Sequence, residues 1–265
     1  MRIARPLVSF LLLAVLLEGA ALGKTIPPPE DYGMVMIGRI SAGATMPPIR
    51  FDHWLHRAFY TCRVCHVEIG FAMEAGGTGI TAETNAKGFH CGTCHNGTTS
   101  HGGKKIFPAC APGQKPEEGA ECTRCHGSGK NNKREHVYAS FVADLPKQVY
   151  GKLVDWEKSE ARGLIGPVDE LPGMPGRPRP PGPQEDFSIA SQGSWMPDII
   201  FSHKKHAQWN GCEVCHPEIF TGVKKGATRY SMFAISEGEY CGVCHDRVAF
   251  PLNDCTKCHS NQALR

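Results

Sequence analysis

The sequence lacks any apolar run long enough to cross a membrane as a helix. Its longest run, Val8 to Leu17, is too short for a span, and nothing later approaches that length. Two arginines precede this run and small residues follow it, which is typical of a secretory signal. We therefore expect residues 1–23 to be removed before Lys24. The rest should be periplasmic, and further export to the outer membrane or cell surface stays open.

The chain also lacks a strong excess of either charge. Lys and Arg total 29 against 26 Asp and Glu, a formal net charge of +3. The predicted signal contains two Arg and one Glu, so its removal leaves +2. A chain of this balance does not offer the basic surface that a nucleic-acid partner requires.

What the sequence does have is six copies of Cys-x-x-Cys-His, which use twelve of its thirteen cysteines. This motif is typical of covalent attachment of a c-type haem. The two thiols add to the haem vinyl groups, and the histidine binds the iron from one side. The predicted attachment cysteines are Cys62, Cys65, Cys91, Cys94, Cys122, Cys125, Cys212, Cys215, Cys241, Cys244, Cys255 and Cys258. The predicted proximal histidines are His66, His95, His126, His216, His245 and His259.

Two other interpretations of paired cysteines are disfavoured. A disulfide framework expects an even cysteine count and no fixed histidine after each pair. A structural zinc ribbon needs paired cysteines but has no use for a histidine directly after each pair. The odd cysteine, Cys110, is interpreted as a buried or unpaired thiol.

The chain is short for six haems, and this predicts the fold class. Residues 24–265 provide roughly 40 residues per haem, against ~100–150 for an ordinary domain. The haems must then form the core, wrapped by a mostly irregular chain with a few short α-helices. Ionised haem propionates would bring the net charge to about −4 in the oxidised state, which further disfavours nucleic acid.

Internal repetition indicates two copies of one unit with three haems each. Residues 46–95 align with residues 196–245 at a constant offset of 150, and nineteen of the fifty positions are identical. The predicted order is a signal at 1–23, a first triheme module at 24–140 with an insertion at 99–118, a connector at 141–195 and a second triheme module at 196–265.

The connector has two parts in the sequence. Leu145 to Leu164 has helical composition, and the Pro/Gly-rich stretch from Gly166 to Pro183 favours a semi-rigid extended spacer. Two interpretations stay open: a simple tether, or a strap that packs across both haem groups.

Seven histidines lie outside the motifs and are candidates for the second axial position: His53, His56, His90, His101, His136, His203 and His206. Four of them recur at matching positions before a haem motif, in Phe-x-His-x-x-His. We expect these four, His53, His56, His203 and His206, to bind iron. Two imidazoles give a six-coordinate centre that leaves no substrate site and suits electron transfer.

The second half has only two spare histidines for three haems, so Met232 is predicted to supply a thioether. The matching position in the first half is Ala82, so that half must differ. There His90 is the first candidate and His101 the second, followed by His136 and Met73.

Phe-x-His-x-x-His followed by three haem motifs resembles the triheme cytochrome c-seven family, which is related to the tetraheme cytochromes c-three. The resemblance covers residues 46–126 and 196–259. It implies small periplasmic electron carriers, whose multi-domain forms make longer haem chains. It also implies the pairings His53 with His66, His56 with His95, His203 with His216, His206 with His245, and Met232 with His259.

The favoured function is therefore electron transfer along six covalently bound haems, without catalysis. The expected partners are redox proteins, such as a quinol-oxidising membrane complex and other cytochromes. One alternative is a multihaem oxidoreductase in which the haem of His126 keeps an open position. The other is a haem subunit of a larger membrane or polymeric complex. The oligomeric state is not predicted.

Overall fold

The computed structural model describes residues 25–38, 46–109, 122–127, 136–173, 185–191, 195–222 and 224–260. Within them the longest α-helix has 8 residues, and each of the three sheets has two strands. Most of the described backbone is turn or irregular. The expected fold class, mostly irregular with a few short helices, is confirmed. No helix in these ranges is long and apolar enough to cross a membrane.

The first module begins with a strand pair that leads directly into a helix. β1 (Met34–Ile37) and β2 (Ile49–Asp52) pair antiparallel. α1 (His53–Phe59) starts at the residue after β2 and buries Trp54 and Ala58, which lie one turn apart on one face. The strand pair therefore fixes where the two spare histidines of α1 lie.

The second module repeats this arrangement. β5 (Phe187–Ile189) and β6 (Ile199–Phe201) pair antiparallel, and α6 (His203–Asn210) follows after one residue. α6 ends at Gly211, whose φ of 69° and ψ of −175° belong to a region that only glycine adopts readily. The same order of elements in both halves agrees with a duplicated unit.

A short capped helix precedes the second haem motif of each module. These helices are α2 (Ala82–Ala86) and α7 (Met232–Ser236). The side chains of Thr81 and Ser231 accept a hydrogen bond from the backbone N–H three residues on, as N-caps do. Five residues are too few for a stable isolated helix, so the capping hydrogen bond contributes to the formation of each of these helices.

The turn that carries the second motif packs against the end of this helix without space for a side chain. A Cβ on Gly92 would lie 1.8 Å from the Asn85 carbonyl oxygen. A Cβ on Gly242 would lie 1.9 Å from the Ile235 carbonyl oxygen. The glycine after the first cysteine is therefore a steric requirement in both modules.

The two modules differ by one residue after the first motif. The chain from Val64 to Ile69 is a π-helical turn, and the Phe71 N–H bonds the Cys65 carbonyl six residues back. In the second module the Phe220 N–H bonds the Cys215 carbonyl five residues back. The constant offset of 150 is therefore wrong across this turn, because the π-helical turn holds one extra residue.

The remaining elements are short. β3 (Ser100–His101) and β4 (Lys104–Lys105) form a small hairpin in the described part of the predicted insertion. α3 (Cys122–Cys125) is the third motif of the first module. α4 (Tyr138–Phe141) and α5 (Trp156–Ala161) lie on either side of the start of the connector.

The apolar cluster formed by the polypeptide itself lies largely in the connector. Val142, Leu145 and Val154 are its buried centre, with Trp156 packed against it. The prediction of a helix from Leu145 to Leu164 is wrong for its first half, because only α5 is helical there. The residues before α5 instead fold back on themselves, so that their apolar side chains fill this cluster.

The described part of the connector packs against both modules. The Val168 N–H bonds the Phe59 carbonyl of the first module at 2.8 Å. From α5, Glu160 Oε2 accepts from Trp209 Nε1 of the second module at 2.6 Å. This favours the strap over the simple tether; residues 174–183 of the proline-rich stretch lie outside the described residues.

Candidate haem sites

Each haem motif folds into a single tight turn. In five motifs the histidine N–H bonds the carbonyl of the first cysteine at 2.8–2.9 Å, as for His95 on Cys91 and His259 on Cys255. The turn places both thiols and the histidine together, which is what covalent attachment and axial ligation of one haem require. All twelve motif thiols are free of disulfides. Cys110 lies outside the described residues.

All six motif histidines use Nδ1 in the same way. Each Nδ1 lies 2.6–3.1 Å from a backbone carbonyl oxygen, on Phe71, Phe107, Pro47, Phe220, Phe250 and Pro197 in chain order. A carbonyl only accepts, so Nδ1 donates and Nε2 is left with its lone pair. Metal-ligating histidines are usually fixed in this way by their second ring nitrogen.

Three of the predicted distal histidines share this arrangement. His53 Nδ1 lies 2.6 Å from the Gly33 carbonyl, His56 Nδ1 3.1 Å from that of Asp52, and His206 Nδ1 2.9 Å from that of Ser202. The sequence did not reveal these acceptors, because a main-chain carbonyl leaves no residue signature. These three imidazoles also present Nε2.

Three pairs of imidazoles face each other across a gap of the size of one metal ion. The ring centroids of His53 and His66 are 6.5 Å apart with planes only 4° from parallel. Those of His56 and His95 are 6.4 Å apart, and those of His206 and His245 are 6.3 Å apart. Two axial imidazoles with metal–nitrogen bonds of about 2 Å would place their centroids about 6 Å apart.

Burial keeps these imidazoles neutral, the form that binds a metal. Desolvation is the main cause that lowers the pKa of His53, His95 and His245 to about 4 in each case. It also lowers the pKa of His206. Neutral rings with a free Nε2 therefore line all three gaps.

Among the described residues, His203 does not form an imidazole pair of this kind. The His203 ring lies against Phe187 and Phe201, and the ring contacts of the described residues include none between His203 and His216. Met232 is 53% exposed at the start of α7, and His259 Nδ1 bonds the Pro197 carbonyl.

The candidates for the third haem of the first module are scattered. The His90 ring lies 5.8 Å from that of Phe71. His101 and His136 both lie against Phe59. Met73 is exposed. Among the described residues no second imidazole faces His126.

The haem sites of the two modules meet at one place. Burial raises the pKa of the Cys244 thiol to about 12, with further increases from Cys62 of the first module and from Cys215. Burial also raises the pKa of the Cys215 thiol to about 11, with further increases from Cys241 and from Cys62 of the first module. Thiols that influence one another lie close together, so the first motif of the first module adjoins two motifs of the second.

Comparison with known proteins agrees with this geometry. The model of the family "Cytochrome c7 and related cytochrome c" matches residues 49–127 and 199–260, which together exceed half of the chain. The chain belongs to the cytochrome c7 family. It is a c-type multihaem cytochrome of the electron-transfer class, and its six cysteine pairs fit six covalently bound haems.

Solved structures similar to this c7-family chain are themselves multihaem cytochromes. The C-terminal hexaheme fragment of GSU1996 is 22% identical, over 86% of this chain and 97% of the fragment, with a TM-score of 0.25. The N-terminal hexaheme fragment is 19% identical over 87% and 99%, with a TM-score of 0.24. Dodecaheme cytochrome c GSU1996 is 22% identical over 90% of this chain and 50% of its own length, with a TM-score of 0.26. No curated protein matched.

Proposed function

We propose that this chain is a periplasmic carrier that moves electrons along six haems between redox partners. The observation that carries the proposal is the set of three imidazole pairs held 6.3–6.5 Å apart, each with its Nδ1 atoms on main-chain carbonyls. Bound haem iron supplies a one-electron couple. The main-chain carbonyls hold both imidazoles of each pair in place in advance, so little would have to move when the charge of a bound haem changes.

The attachment and ligand sets follow from the motifs, the geometry and the family. Six cysteine pairs attach the haems, and the six motif histidines bind the iron from one side. His53, His56 and His206 are proposed distal ligands on the geometry above. His203 for the haem of His216, and Met232 for that of His259, rest on the family resemblance. The distal ligand at His126 is one of His90, His101, His136 and Met73.

The location and the organisation are further parts of the proposal. Haem attachment of this type takes place outside the cytoplasmic membrane of bacteria, and the first residues resemble an export signal. The partners are a quinol-oxidising membrane complex on one side and other cytochromes on the other. The modules at 24–140 and 196–265 are joined by the connector at 141–195, which contacts both and therefore holds them together.

One observation favours a second candidate function, an oxidoreductase activity at the haem of His126. No imidazole of the described residues faces that histidine, so its iron would keep an open position where a small molecule can bind. Carbon monoxide added to the reduced protein distinguishes the two functions. A pure carrier binds none, whereas an open haem binds one equivalent and carries a high-spin signal when oxidised.

The carrier function is tested first by mass and then by substitution. Mass spectrometry of the purified protein should show six haem masses, and five or fewer would contradict the proposal. His206→Ala should keep all six haems and convert one from low-spin to high-spin or misligated. Lys204→Ala, exposed on the same helix, is the matched control and should change nothing. An unchanged spectrum and unchanged potentials for His206→Ala would remove His206 from the ligand set.

A further inference from the structure

Arg57 is a partly buried cation at the contact between the two modules. It follows His56 on α1, and its Nη1 donates to the Val248 carbonyl of the second module at 2.6 Å. The Val248 N–H in turn bonds the Cys244 carbonyl at 2.9 Å. One hydrogen bond therefore separates the guanidinium from the turn that carries the second haem motif of the second module.

Two indole rings hold the guanidinium in place. Its central carbon lies 4.7 Å from the centroid of Trp156, in the connector, and 5.8 Å from that of Trp209, in the second module. Cation–π contacts at these distances are attractive. A side chain of the first module thus contacts both the connector and the second module, and these contacts fix the position of its charge.

Among the described residues no carboxylate forms an ion pair with Arg57. Burial lowers the pKa of Arg57, and Cys62, Cys244 and Tyr32 oppose that shift. The guanidinium is therefore within electrostatic reach of attachment cysteines in both modules.

The internal repeat shows that this charge is not part of the basic unit. The position that matches Arg57 at the offset of 150 is Ala207 in α6. A helix that needed a cation here to hold its own haems would have one in both copies. Arg57 is instead specific to the first module, the one whose α1 faces Val248 of the other module.

We propose that Arg57 sets the reduction potentials at the module junction. Its fixed charge favours the ferrous state of the two haems beside it, those attached through Cys62 and Cys65 and through Cys241 and Cys244. Reduction adds one negative charge to a haem, so a nearby cation stabilises the reduced form and raises the potential. The proposal rests on the carrier function proposed above.

The sign of the effect does not depend on what else pairs with Arg57. If a haem carboxylate approaches the guanidinium, removal of the cation leaves that carboxylate uncompensated. In either case the net charge at the junction becomes more negative by one unit, which stabilises the ferric state of the two haems. A neighbouring charge at close range changes an ionisation equilibrium by about tenfold or more. We expect a shift of similar size, about tenfold in the ferrous-to-ferric ratio or ~59 mV for a one-electron couple.

The test is a redox titration of the intact six-haem protein, followed by NMR so that each haem is resolved. Arg57→Met should lower two of the six potentials by about that amount and leave the other four nearly unchanged. Arg57→Lys keeps the charge and should leave all six close to their original values. Arg162→Met removes the same charge from an exposed position outside the junction and is the matched control. If Arg57→Met yields no holoprotein, Arg57→Gln carries the same test, because its amide still donates to Val248.

Three results would overturn the proposal. The first is a shift for Arg57→Met no larger than that for Arg162→Met, and the second is a shift spread evenly over all six haems. The third is an equal shift in Arg57→Lys with an increased radius of gyration in X-ray scattering, which would mean that the side chain only holds the modules together. Haem content is measured by mass on every variant, so a failure of the carrier function, seen as missing haems, is recognised separately.

Discussion

Gly242→Ala should break the turn that presents the second motif of the second module. An added Cβ would lie 1.9 Å from the Ile235 carbonyl oxygen and 2.9 Å from its carbonyl carbon. Real Cβ atoms keep at least 3.0 Å, so the two must separate by about 1.1 Å, the difference between 3.0 and 1.9 Å. The obstructing atoms are backbone at the end of α7, which cannot rotate away as a side chain would. Forcing such atoms apart costs about 1–3 kcal/mol.

The assay is thermal unfolding of the six-haem protein, followed by the low-spin haem absorption, together with haem content by mass. Gly92→Ala should behave in the same way, because its Cβ would lie 1.8 Å from the Asn85 carbonyl oxygen. The control is Glu213→Ala, the same motif position in the first motif of the second module, where the side chain is exposed. That change should stay within about 0.5 kcal/mol. A Gly242→Ala protein as stable as the Glu213→Ala control would show that the turn has space and that this reasoning is wrong.

Three further predictions concern the ligands and the module contacts. Met232→His should lower the reduction potential of one haem of the second module, because a thioether favours ferrous iron more than an imidazole does. If a redox titration shows no change in any potential, Met232 is a packing residue only. Asp169→Asn should lower the unfolding free energy by about 2 kcal/mol, because Asp169 forms an ion pair with Arg63, which is only 3% exposed. The control is Glu83→Gln, which removes a carboxylate from an exposed ion pair and should cost less than about 0.5 kcal/mol. Equal melting temperatures for the two variants would contradict this prediction. Burial and the nearby Asp246 raise the pKa of Tyr32, so the folded state keeps its phenol proton longer than the unfolded state; stability should therefore fall as pH rises above about 10, and Tyr32→Phe should flatten that fall in alkaline unfolding curves.

The haem-attachment chemistry was predictable because the residues that carry it are contiguous in the sequence. Cys-x-x-Cys-His folds as one local turn, so its six copies could be read without knowing the fold, and the haem cofactor and the family are confirmed. The distal pairs of His53 and His56 followed from the repeat and the family resemblance, and the structure places them opposite His66 and His95. The pairings of His203 and Met232 stay predictions.

What the sequence could not show depends on contacts between distant segments. The alignment of the two halves does not reveal the extra residue in the π-helical turn. Further along the chain, Gly76 and Gly226 match each other again at the offset of 150. The helical composition after Leu145 led to the prediction of too long a helix. The backbone conformation before α5 is determined instead by apolar packing within the connector. Arg57 was missed as well, although its replacement by Ala207 in the repeat was a signal that could have been noticed.

The acceptors behind the candidate ligands have a consequence for how this protein tolerates mutation. At all six motif histidines, Nδ1 is held by a main-chain carbonyl, and two of these carbonyls belong to prolines, Pro47 and Pro197. Every amino acid carries that oxygen, so no single substitution at an acceptor position can delete the bond outright. Loss of ligand orientation requires a change in the path of the backbone. The haem sites should therefore survive wide sequence drift in the loops around them, while remaining sensitive to insertions, deletions and changes at the glycines that set that path.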